Sequence, residues 1–104
     1  MSEFTKVASR SEIADGEKLL IELDDELVIL FRVGDEFFCL DDVCTHDGGS
    51  LIDGEFFDCK IVCPRHGSSF DIRTGKPQCM PATQPTRTHA TRVDGDDVLV
   101  KLSE

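Results

Sequence analysis

Two short boxes constrain this chain more than any other feature: Cys44-Thr45-His46 and, after sixteen intervening residues, Cys63-Pro64-Arg65-His66. Each pairs a thiol with an imidazole at loop spacing, and each is followed by glycine, at Gly48-Gly49 and at Gly67. Two such loops converging on one metal centre would account for the pattern. Thiolates favour iron-sulfur clusters and zinc, and imidazole suits both metals. Four-coordinate zinc sites usually draw both cysteines from one hairpin and both histidines from another, whereas here each loop offers one of each. A binuclear cluster fits that mixture if the cysteines bind one iron and the histidines the other, because each loop then bridges both irons. A structural zinc site stays open as an alternative, as does the plainer reading of four ordinary buried side chains.

The rest of the chain reads as short strands between turns. Leu19–Leu23 and Leu27–Phe31 are rich in strand formers and are joined through Asp24-Asp25-Glu26, which predicts a hairpin. Val33-Gly34-Asp35-Glu36 is a second tight turn leading into Phe37–Leu40, and Asp53-Gly54, Thr74-Gly75 and Asp94-Gly95 mark three more. Near the end, Val98, Val100 and Leu102 alternate with Leu99, Lys101 and Ser103, the period of a strand with one buried face. The best helical candidate, Ser11–Asp15, is at most one turn. The expected fold is therefore all-β, an antiparallel sandwich or barrel. Between about residues 41 and 82 Gly, Pro, Cys and His become dense, which reads as a loop-rich insert in that scaffold, and Pro77, Pro81 and Pro85 make residues 77 to 86 an irregular crossing. A chain of 104 residues is expected to form one domain, residues 1–104.

Composition narrows the function. A formal charge of -10, from 21 acidic and 11 basic residues, would be repelled by nucleic acid and by anionic membrane surfaces. No apolar run approaches the roughly 20 residues that span a bilayer, and the N-terminus carries no basic stretch followed by an apolar segment. The cytoplasm is the expected location. Five cysteines, an odd number, make a poor disulfide framework for a reducing compartment.

On these residues the sequence resembles the Rieske family. Cys44-Thr45-His46 and Cys63-Pro64-Arg65-His66-Gly67 are similar to its two boxes, Phe70–Lys76 to the strand and turn after the second box, and Met80-Pro81-Ala82 to its proline loop. The resemblance is greatest to the Rieske-type ferredoxins that serve bacterial aromatic-ring-hydroxylating dioxygenases, and it extends over nearly the whole chain. It implies one 2Fe-2S cluster in an inserted cluster-binding subdomain, about 41–82. Cys44 and Cys63 would hold the inner iron, and His46 and His66 the outer one. Respiratory Rieske proteins carry a further cysteine in each box, joined in a disulfide; the matching positions here are Gly49 and Arg65. They also place a serine and a tyrosine where hydroxyls reach sulfur, and this chain has Ser68 and Phe70 there. Loss of the tyrosine hydroxyl, the acidity of the chain and Asp47 beside a ligand all disfavour an added electron, so a potential near the lower end of about -150 to +300 mV is expected.

The resemblance implies a one-electron carrier between a flavin-containing NAD(P)H-dependent ferredoxin reductase and a terminal oxygenase, docking transiently at the His46/His66 edge as a monomer. A small Rieske subunit of an assimilatory reductase such as nitrite reductase is the alternative. The chain is not expected to be an enzyme: an oxygenase iron site needs two more histidines and a carboxylate, and only His89 would remain. Arg65 is expected either to be a solvated surface side chain or to meet a partner carboxylate. Cys39, Cys59 and Cys79 are expected to be buried or half-buried thiols, and His89 structural or on the surface.

Overall fold

The computed structural model describes residues 3–46, 48–65, 67–80 and 82–103. His66, Asp47 and Pro81, named above as ligand, neighbouring acid and part of the proline loop, lie outside the described residues.

The run Leu27-Val28-Ile29-Leu30-Phe31 explains the architecture. In a strand, successive side chains leave opposite faces, so five apolar residues in a row require burial on both sides. Strand β3 (Glu26–Val33) meets that requirement from its third residue on: Val28, Ile29, Leu30 and Phe31 are all fully buried, whereas Leu27 is exposed. Val28 and Leu30 face one core, with Ala8, Ile13, Phe37, Cys39, Val98 and Val100. Ile29 and Phe31 face a second, with Leu40 and seven residues drawn from positions 44 to 82. β3 is thus the shared wall between a scaffold and the region carrying both boxes.

The scaffold is a six-stranded antiparallel sheet in the order β1-β10-β9-β4-β3-β2. Its strands are β1 (Thr5–Ser9), β2 (Lys18–Leu23), β3, β4 (Glu36–Asp41), β9 (Thr88–Asp94) and β10 (Asp97–Lys101). The second sheet is four-stranded, β5-β6-β7-β8, from β5 (Phe56–Phe57), β6 (Lys60–Val62), β7 (Ser69–Asp71) and β8 (Pro77–Cys79). Phe31 and Phe56 join the two layers edge to face, centroids 4.9 Å apart. The all-β expectation holds.

The hairpin expected between residues 19 and 31 is present as β2 and β3, with Leu23 opposite Glu26 and a two-residue loop at Asp24-Asp25. Both aspartates have positive φ, 52° and 64°, as a turn matched to the twist of its strands requires. Asp58-Cys59 closes β5 and β6 in the same way, with φ of 50° and 59°; no glycine or asparagine announces it. The helical turn falls at Arg10–Glu12, one residue earlier than expected, because the Glu12 carboxylate accepts the Ser9 N–H at 2.7 Å. Residues 77 to 86 are not irregular throughout, since β8 pairs with β7 at Ser69/Cys79 and Phe70/Pro77. Proline is tolerated there because β8 is an edge strand.

Candidate metal centre

The two boxes have different spacings but the same backbone frame. In the first loop the Cys44 N–H donates to the Gly49 carbonyl (2.8 Å) and the Gly48 N–H donates back to the Cys44 carbonyl (2.7 Å). In the second the Cys63 N–H donates to the Ser68 carbonyl (2.6 Å) and the Gly67 N–H to the Cys63 carbonyl (3.1 Å). Each is a closed turn from a cysteine to a glycine four residues on. Gly48 and Gly67 have φ of 75° and 78°, a conformation that costs an L side chain roughly 1–2 kcal/mol. The extra residue of the second box is absorbed inside this frame, not by lengthening it.

The frames place the two thiols alike. Cys44 and Cys63 are both buried in the same core, beside Leu51, Ile61 and Phe70. His46 is exposed at the surface of the first loop. Among the described residues no three His, Cys, Asp or Glu side chains gather around a single point.

Asp42 holds the return of the first loop, a role the sequence did not disclose. Its buried carboxylate accepts the Leu51 N–H (2.7 Å) and the Ile52 N–H (2.9 Å) on one oxygen and the Ser50 hydroxyl (2.7 Å) on the other. Further ties fasten both loops to the crossing segment. Thr45 Oγ1 donates to the Gln84 carbonyl at 2.6 Å, Thr86 Oγ1 donates to the Val43 carbonyl at 3.1 Å, and the Ala82 N–H donates to Ser68 Oγ at 3.0 Å. Ser68 is fully buried, and a hydroxyl accepting there keeps its own proton to give. Phe70, also fully buried, offers no hydroxyl.

Arg65 is exposed, as the surface expectation has it, but its guanidinium is not free in solvent. It lies across the first loop: Nη1 donates to the Ser50 carbonyl at 3.1 Å and Nη2 to Cys63 Sγ at 3.3 Å. Behind the second loop, the Asp71 carboxylate takes the Arg73 N–H (2.8 Å), Nε (3.0 Å) and Nη2 (2.9 Å). Chiefly through the side-chain hydrogen bonds, Arg73 holds the Asp71 carboxyl below the ordinary range.

The remaining cysteines and histidine lie apart from this arrangement. Cys39 is buried in the scaffold core, and burial first, then Asp41, pushes its thiol up to about 12. Cys59 is half-buried in its turn. Cys79 is exposed, against expectation, because β8 is an edge strand; its thiol donates to the Gly67 carbonyl at 3.1 Å. His89 is buried and structural: the Ser103 N–H donates to Nδ1 (2.9 Å), so the proton sits on Nε2 and goes to Asp41 at 2.7 Å. Arg87 closes that group on Asp41 (3.1 Å) and Glu26.

The Rieske [2Fe-2S] domain matches residues 3–92. This chain belongs to the Rieske family. The ferredoxin component of biphenyl 2,3-dioxygenase of Rhodococcus jostii RHA1 is 40% identical over 98 residues, 94% of this chain and 92% of that one. The ferredoxin of carbazole 1,9a-dioxygenase from Nocardioides aromaticivorans IC177 superposes with a TM-score of 0.93 at 31% identity, covering 98% of this chain and all of that one. A complex of reduced oxygenase and oxidized ferredoxin in carbazole 1,9a-dioxygenase contains a chain matching at TM-score 0.88 and 32% identity, over 93% of this chain and 91% of that one. A nitrite reductase small subunit, 16% identical with a TM-score of 0.82 over 94% of this chain and 97% of that one, shares the fold alone. The Rieske domain and its ferredoxin relatives assign the chain one Rieske-type 2Fe-2S cluster. The donor set fits it, with two buried thiols at the base of matched loops and an imidazole at the surface.

Proposed function

We propose that this protein is the ferredoxin component of an aromatic-ring dioxygenase system, carrying single electrons from a flavin-dependent NAD(P)H reductase to a terminal oxygenase. The observation that carries the reading is the matched pair of loops, buried at the cysteines and open at His46, in a chain whose relatives are dioxygenase ferredoxins. Cys44 and Cys63 would hold one iron as thiolates, and His46 and His66 the other. Residues 41–82 would act as the cluster-binding subdomain of a single domain. The bound cluster supplies a one-electron couple.

The chain's own residues do the rest. Asp42 and Thr45 fix the first loop, Ser68 ties the second to Ala82, and the core that Cys44 and Cys63 share keeps water from the thiol side. The His46/His66 edge would be the docking face. Val43 and Met80, 38% and 72% exposed, supply apolar surface beside the two loops, which suits a brief contact with a partner. With a charge of -10 the chain would meet basic patches, as a monomer in the cytoplasm. Acidity and the lack of a hydroxyl on Phe70 support a potential near the lower end of the range of about -150 to +300 mV.

Electron paramagnetic resonance of the purified protein after dithionite reduction tests the cluster, and oxygenase turnover with a supplied reductase tests the carriage. A reduced-cluster signal with two irons per chain and turnover that requires the protein are expected. A colourless protein with stoichiometric zinc would overturn the proposal, and so would a midpoint above about +100 mV, the potential part of it.

A further inference from the structure

We propose that Arg65 is a positioning residue that clasps the two loops together and raises the reduction potential through its hydrogen bond to the Cys63 sulfur. The inference rests on the reading of Cys63 as a cluster ligand.

Three observations carry it. Nη2 of Arg65 lies 3.3 Å from Cys63 Sγ, and Nη1 lies 3.1 Å from the Ser50 carbonyl of the other loop. The guanidinium therefore spans both loops with separate nitrogens, which a planar fork allows and a single ammonium does not. The third observation is its seat. A β-carbon built on Gly49 would fall 2.2 Å from Nη2 and 2.3 Å from Cζ, so the guanidinium is laid against the bare α-carbon of Gly49. Gly49 does not have positive φ; its missing side chain serves space and not backbone conformation. The carbonyl of the same Gly49 closes the Cys44 turn, so Arg65 bears on the frame of the first box as well as on the sulfur of the second.

The electrostatic consequence has a definite sign. Reduction adds negative charge that spreads onto sulfur, and a cationic donor to that sulfur stabilises the reduced form more than the oxidised one. Arg65 thus works against the low potential set by the chain's acidity. Its clasp also resists separation of the loops, which is the motion that would release iron.

Four variants of the cluster-loaded protein separate seat from charge: R65L, R65K, G49A and the double variant G49A/R65L. Midpoint potentials are measured by spectroscopic titration, and cluster loss by the decay of visible absorption in excess chelator. R65L is expected to shift the reduction equilibrium about tenfold toward the oxidised form, which is about 59 mV for one electron, and to lose its cluster faster. G49A keeps the charge but displaces the guanidinium, so a shift of the same sign is expected, with no further drop in the double variant. R65K should recover less than half of the R65L loss. An unchanged potential in R65L overturns the proposal, as does a G49A potential equal to that of the unmodified protein, or additive shifts in the double variant. Should R65L fail to hold a cluster, G49A decides alone. An unmodified protein without a 2Fe-2S spectrum would instead refute the reading of the site.

Discussion

Asp42 carries more of the site than its position two residues before Cys44 suggests. Its carboxylate gathers two backbone donors and one hydroxyl from residues 50 to 52. The Leu51 donor is buried together with its side chain in the core that holds both thiols. Asp42→Ala would leave those amides without an acceptor where water does not reach, a loss of about 1–3 kcal/mol for buried groups. The expected result is a lower urea midpoint at unchanged slope in the cluster-loaded protein. Asp42→Asn, which keeps one acceptor oxygen, should recover part of the loss, and a midpoint unmoved in Asp42→Ala would show that the loop stands without this anchor. Legibility at this scale divides by residue type. Cys44, His46, Cys63 and His66 are conspicuous because their side chains are rare and their spacing is specific. Asp42 and Arg65 are ordinary polar residues whose roles arise only when residues 8 to 15 positions away fold beside them. His89 was expected to be structural or on the surface; it is buried, and its tautomer depends on Ser103, which sequence does not place beside it.

At the scale of elements, the strands that announced themselves are those with a strong apolar pattern. β3 is buried on both faces, and β10 alternates cleanly, with Val98 and Val100 inward. β1 and β9 gave no such signal: each has a single buried residue, Ala8 and His89, and the rest of each strand is exposed or half-buried. They are recruited by hydrogen bonding to neighbours, which hydropathy does not report. Turns follow the same logic. Gly34 and Gly95, in two of the turns the sequence marks, take positive φ, whereas Asp24-Asp25 and Asp58-Cys59 adopt it without glycine, at a local cost that the paired strands offset. Asp25→Gly is therefore expected to stabilise the protein by about 0.5–1 kcal/mol, since glycine takes positive φ without the steric penalty. The change also removes one of three adjacent acids. Thermal unfolding monitored by far-ultraviolet circular dichroism would show a raised midpoint; a lowered one would mean that the aspartate side chain stabilises this turn by more than its backbone strain costs.

The whole molecule has two cores with β3 and β4 between them, and they depend on the cluster unequally. The core of Ala8, Ile13, Val28, Leu30, Phe37, Cys39, Val98 and Val100 contains no residue from 41 to 82. The other includes Cys44 and Cys63 themselves. The sequence marks residues 41 to 82 as a loop-rich insert, yet Leu51, Ile61, Phe70, Ile72 and Ala82 all reach this second core. Loss of iron should consequently not unfold the insert as a unit. The thiols would lose their shared ligand, and the Cys44-to-Gly49 and Cys63-to-Ser68 turns would be left to their backbone bonds and to side-chain ties, among them those of Asp42, Thr45, Arg65 and Ser68. Metal binding and local folding are coupled where the ligands come from such turns. Hydrogen exchange of the apo protein is expected to show the amides of Cys44, Gly48, Cys63 and Gly67 losing protection first. Ile61 and Phe70, paired across β6 and β7, should follow, with β3 and β4 unchanged. Equal protection of both turns with and without iron would mean that the loops are rigid before the cluster arrives. In that event the scaffold, and not the metal, would set the geometry from which the electron leaves.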